Sequence, residues 1–180
     1  MIDRYLDSIT KPLESRNWYA AFFIALTIPD ICGALEQPDK GSSVRYISWY
    51  DKYMLPKYSS SMGPPPQEVH VFLSGDDCYA LRCSLLHEGT GDVGKQRISK
   101  TLESVHFNEP SDKGGMLHCN QYKDVLQLQV DIFCDDFIGA ARQWLSDVRG
   151  DAGIQTRMQL LSKMHPAFYF PGFIGSSEEH

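Results

Sequence analysis

Apolar residues recur at helical spacing through most of the chain and alternate in only one stretch. Ile2, Leu6, Ile9 and Leu13 form a first helical stripe, with Pro12 as an irregularity. Asn17 is placed to cap a second helix, Trp18-Tyr-Ala-Ala-Phe-Phe-Ile-Ala-Leu, which is apolar nearly all round and therefore reads as buried. Pro29 then predicts either a kink or a fresh helix with the proline in its first turn, and Gly33 to Pro38 ends that unit. Ser42 or Ser43 is placed to cap a helix running to about Leu55, with Val44, Ile47, Tyr50 and Met54 on one stripe. Tyr46, Trp49 and Tyr53 form a neighbouring aromatic stripe, which reads as a packing surface or as a ligand- or partner-binding face.

Residues 56–69, with three consecutive prolines, read as a loop. Ser74-Gly-Asp-Asp77 is a helix start, because a serine hydroxyl can take an amide of the first turn and the two acids oppose the helix dipole. That helix reads Gly75 to Glu88, with Gly89 as its stop. The period then changes. Leu126, Leu128, Val130 and Ile132 alternate with Gln127, Gln129 and Asp131, a half-buried strand, with Thr101–Phe107 and Met116–Cys119 as antiparallel partners. Asp135-Asp136 opens a further helix closed by Arg149-Gly150, and Ile154 to Met164 forms the last one. The apolar segment 167–173 is expected to lie over the body or across a subunit interface. The fold expected is mainly α: a single-domain helical bundle spanning 1–180, with a small antiparallel β element at about 100–134.

Composition narrows the function classes. The 180 residues include 42% hydrophobic and 22% charged positions, a globular balance. Lys plus Arg number 17 against 23 Asp plus Glu, a net charge of −6, which disfavours non-specific nucleic-acid binding but allows a local basic site. Five cysteines with no Cys-x-x-Cys pair read as reduced thiols in a cytoplasmic protein. His106, His118, Cys119 and Cys134 fit no zinc spacing, so neither a metal nor a cofactor is expected. The Asp135-Asp136 pair reads as helix-terminal charge rather than as metal ligands. The uncharged run from Asn17 to Pro29 falls short of the ~18–20 residues that cross a bilayer, and no membrane association is expected.

Chemistry concentrates in Cys78-Tyr-Ala-Leu-Arg-Cys-Ser-Leu-Leu-His-Glu-Gly89. A guanidinium such as that of Arg82 suits a phosphate in a charged transition state. A histidine such as His87 suits proton transfer at neutral pH. Five positions on a helix place these side chains ~140° apart, and a single histidine gives only one of the two proton-transfer groups. A twofold dimer would supply the other. Asp30, a carboxylate in an apolar stretch, needs a partner, and Arg82 is the expected one, orienting the site or bracing the bundle.

Arg82-x-x-x-x-His87 in a capped helix followed by glycine resembles the Arg-x(4–6)-His motif of HEPN domains. Those domains are helical bundles, many of them metal-independent ribonucleases of defence and toxin–antitoxin systems that work as dimers. The resemblance covers about a dozen residues and implies catalytic roles for Arg82 and His87, RNA as substrate and a homodimer. The position after the motif arginine, commonly Asn, Asp or His, is Cys83 here. A longer pattern resembles a family of small uncharacterised bacterial proteins of the mobile gene-cassette type. It comprises Asn17-Trp-Tyr-Ala, Leu26-Thr-Ile-Pro-Asp-Ile-Cys-Gly33, Tyr46-Ile-Ser-Trp-Tyr50 and the 81–89 segment. That second resemblance implies no activity. It leaves a non-catalytic ligand- or protein-binding module as the alternative to a ribonuclease.

Overall fold

Local signals set most helix boundaries in the computed structural model, which describes residues 2–64, 66–92 and 102–164. Helix α1 (Asp3–Glu14) accommodates Pro12 near its end. Asn17 caps α2 (Trp18–Ala25), its side-chain oxygen accepting the Ala20 amide at 3.3 Å. A new helix, α3 (Ile28–Glu36), begins with Pro29 in its first turn, the position where a missing N–H costs nothing. Residues 18–36 are long and apolar enough to cross a membrane by length and composition, although the uncharged run alone is not; half of that stretch is buried within the fold. Helix α4 (Ser42–Tyr53) follows, then a short 3-10 turn, Leu55–Tyr58.

Helix α5 (Gly75–Glu88) forms as its signals predict. The Ser74 hydroxyl accepts the Asp77 amide at 3.1 Å, and Gly89 takes the left-handed conformation (φ 70°) that closes the helix. Two further helices complete the bundle, α6 (Val130–Asp147) and α7 (Ala152–Gln159), the latter capped by Asp151. The core is strongly aromatic: Trp49, Trp144, Tyr50, Tyr58, Phe133 and Phe137 are all buried. The protein is thus mainly α with small β elements, as the periodicity predicts.

Several details differ from the sequence reading. Residues 59–71 are not all loop: β1 (Ser59–Met62) and β2 (Glu68–Val71) pair antiparallel around the proline-rich turn. Prolines at the turn remove no ladder donor, so the hairpin is compatible with them. A second sheet contains β3 (Ser104–Asn108), β4 (Asn120–Tyr122) and β5 (Val125–Gln129) in the order β3-β5-β4. Its β4–β5 pair is antiparallel, but β3 runs parallel to β5. Residues 109–124 are long enough to carry the chain across to the far edge of β5, as a parallel pair requires. The alternating run also stops early, because Val130 and Ile132 lie in α6, five residues before the expected start. Val130, Phe133, Cys134, Phe137, Ile138 and Ala141 make a buried helical stripe, and that longer periodicity prevails over the shorter alternation. No serine side chain caps α4; Gly41 holds the cap position and the Ser42 hydroxyl lies 3.3 Å from that of Tyr79. Helix α7 starts two residues before Ile154 and ends at Gln159. The segment 167–173 lies outside the described residues.

Candidate functional site

The motif helix α5 places its residues on different surroundings. Asp30, in the first turn of α3, accepts a hydrogen bond from the Arg82 Nε–H at 2.9 Å, each side chain being 23% exposed. The expected pair is therefore formed. Burial raises the Asp30 carboxyl above its usual range, against the pull of Arg82 and then of Arg45. For Arg82, burial is outweighed by Asp30, and the guanidinium is held more firmly protonated than usual. His87 is exposed in the last turn of α5. With α5 helical through Glu88, Arg82 and His87 remain ~140° apart around its axis. Neither lines the cleft described below. One chain thus joins Arg82 to Asp30 and leaves His87 on another side of the helix.

The aromatic stripe requires correction as a surface. Tyr46 and Trp49 are fully enclosed and Tyr53 is buried, so the three are core rather than a face for ligands or partners. The Tyr46 hydroxyl lies 3.4 Å from the Cys78 sulfur, and the Tyr53 hydroxyl donates to Asp147 at 3.1 Å. Cover from α3, α5 and α6 buries this stripe of α4, while Val44 at the start of the adjoining one stays exposed.

An aromatic-lined concavity lies elsewhere, between the start of α2, the C-terminal end of α5 and β3. It is a solvent-open cleft of about 240 Å³ with walls that include Trp18, Tyr19, Phe22 and Phe107, floored by Leu85, Val105 and Val130. Phe22 and Phe107 stack with ring centroids 5.0 Å apart. Asn108 and Glu109 stand at its polar edge, and Gly89 and Gly91 contribute backbone. Gly91 is dictated by close approach: a Cβ there would collide with the Val105 carbonyl, and the Val105 amide donates to the Gly91 carbonyl at 2.9 Å. Sequence reasoning missed this cleft. Helix α2 is apolar all round, so nothing in its pattern distinguishes Tyr19, which is 72% exposed, from Phe22, which is buried.

A second polar cluster gathers on Asp136. Lys57 Nζ donates to its Oδ1 at 2.8 Å and the Tyr58 hydroxyl to its Oδ2 at 3.2 Å. The Gln129 amide donates to His118 Nδ1 at 3.2 Å, so the neutral ring carries its proton on Nε2, 4.0 Å from Asp136 Oδ2. Burial lowers the His118 pKa, outweighing the attraction of Asp136. Cys119 beside it has φ 50°, an uncommon conformation for a side-chain-bearing residue, and burial followed by Asp136 pushes its thiol up to about 11. A thiol so protonated at neutral pH is a poor nucleophile. Among the described residues no group of three or more His, Cys, Asp or Glu side chains is arranged to hold a metal ion. All five cysteines are free. No family model, curated protein or solved structure matches this chain.

Proposed function

We propose that this protein is a ligand-binding module and that its site is the cleft between α2, the end of α5 and β3. The observation that carries the reading is the solvent-open concavity walled by Trp18, Tyr19, Phe22 and Phe107 and edged by Asn108 and Glu109. Aromatic side chains together with a few placed polar groups are a usual make-up of a small-molecule site. Trp18 is half-buried at the cleft, whereas Trp49 and Trp144 are core, so its indole N–H resonance is a local reporter. Titration with phenol, a small neutral aromatic, should shift that resonance saturably. Tyr19→Ser, a change at an exposed wall residue, should weaken the effect without altering thermal stability. A Trp18 resonance unmoved by phenol and by the cations considered below would defeat the reading.

A second reading, a HEPN-like RNA-cleaving dimer, is supported by the Asp30–Arg82 pair. That contact fixes one edge of a partly exposed guanidinium, with an exposed histidine on another side of the same helix. In this reading two copies supply the two histidines around one phosphate. RNA cleavage in chelator by the wild-type chain, lost in both Arg82→Ala and His87→Ala, is the expected result. Cleavage that persists in His87→Ala would sink it.

A further inference from the structure

We infer that the ligand of the aromatic cleft is an alkylated ammonium cation; this rests on the binding reading above. Among the described residues that line the cleft none is Lys, Arg or His, and the one formal charge is the carboxylate of Glu109. Among the described residues, the Arg16 guanidinium donates to Asp112 at 2.9 Å while also facing Glu109. Two carboxylates against one guanidinium, among the described residues, give that rim an excess of negative charge. Helix α5 adds to it, because Gly89 lies on the cleft wall at the end where the unpaired carbonyls of a 14-residue helix point outward. The shorter α2 brings its positive end to the same cleft, but Asn17 already occupies the Ala20 amide there.

The walls fit the same cation. Aromatic faces attract a positive charge through their quadrupole, and an alkylated ammonium asks for apolar contact rather than several hydrogen-bond acceptors. An alkylated ammonium uses the Glu109 carboxylate for its charge and the aromatic side chains for its methyl groups. The volume of about 240 Å³ limits the bound group to a small headgroup rather than an extended chain.

Choline and its uncharged isostere 3,3-dimethyl-1-butanol test the charge alone, with phenol as the control for the cleft itself. Followed by the Trp18 indole resonance in the full chain, choline should bind about tenfold more tightly than the isostere, equivalent to ~1.4 kcal/mol. Glu109→Gln should weaken choline about threefold or more and leave the isostere unchanged. Equal binding of choline and the isostere would overturn the cation assignment and keep the cleft as a site. Phenol binding without choline binding would do the same. A choline response unaffected by Glu109→Gln would also overturn it, and no response to any probe would remove both the inference and the reading beneath it.

Discussion

Two half-buried carboxylates organise the polar interior of this protein, and they do so differently. Asp30 holds one partner, Arg82, and joins α3 to α5. Asp136 receives Lys57 and Tyr58 from the 3-10 turn and faces His118 ahead of β4, so it joins three elements. The Asp30 corner leaves its neighbouring histidine, His87, exposed, whereas the Asp136 hub encloses His118, whose side chain is 10% exposed. The lesson concerns what a motif can claim. The pairing of Arg and His in sequence led to the corner that holds its histidine least, while the more enclosed histidine–carboxylate arrangement comes from residues with no sequence proximity.

The hub carries the largest expected loss of stability. Asp136→Ala should cost about 2–3 kcal/mol in denaturant unfolding, because it strands a buried tyrosine hydroxyl and an ammonium together. Lys57, 43% exposed, contributes the smaller part. A loss under 1 kcal/mol would reduce the hub to a surface contact. Arg82→Ala should cost less, about 1–2 kcal/mol, since one partly exposed partner is lost. A double-mutant cycle with Asp30→Asn measures that coupling directly; additive effects would mean that the corner does not brace the bundle.

Acidity sharpens the difference further. His118 is harder to protonate in the folded chain than in the unfolded one, so its contribution to stability is present above the ordinary histidine range near ~6.5. As pH falls below that value the unfolded state takes up the proton first, and stability declines until the lowered folded pKa is reached. His118→Asn, which keeps an acceptor for the Gln129 amide, should flatten the decline between about pH 7 and pH 5. An unchanged slope would clear His118 of the effect. The smallest change expected is from His87→Ala, within about 0.5 kcal/mol, as befits an exposed position at a helix end.

Short-range chemistry was the legible part of the fold. Asn17, Ser74 and Gly89 each act within a few residues of themselves, and each performs the role its type and position predict. Asp30 and Arg82, 52 positions apart, were also readable, because a carboxylate in an apolar stretch demands a partner and few cations are placed to serve. The parallel placement of β3 was not, since pairing direction depends on the path of residues 109–124 and not on the alternation within a strand. Nor was the cleft: periodicity tells that Trp18, Tyr19 and Phe22 are apolar but not which of them the other helices leave uncovered. Tyr46, Trp49 and Tyr53 show the converse, an aromatic stripe that invites a binding role and is wholly claimed by packing.

Gly91 has a consequence for how this protein can change. The main chain there lies directly against the carbonyl of Val105 and is tied to its amide, leaving no room for any side chain. The end of α5 and the edge strand β3 are therefore joined by a seam that no other residue type can enter. Positions 18, 19 and 109 border the opening beside that seam, and in the binding reading proposed above substitutions there retune what enters while the frame stays as it is. If the cleft binds as proposed, selectivity and architecture are carried by separate residues, so a lineage can vary the first at little risk to the second.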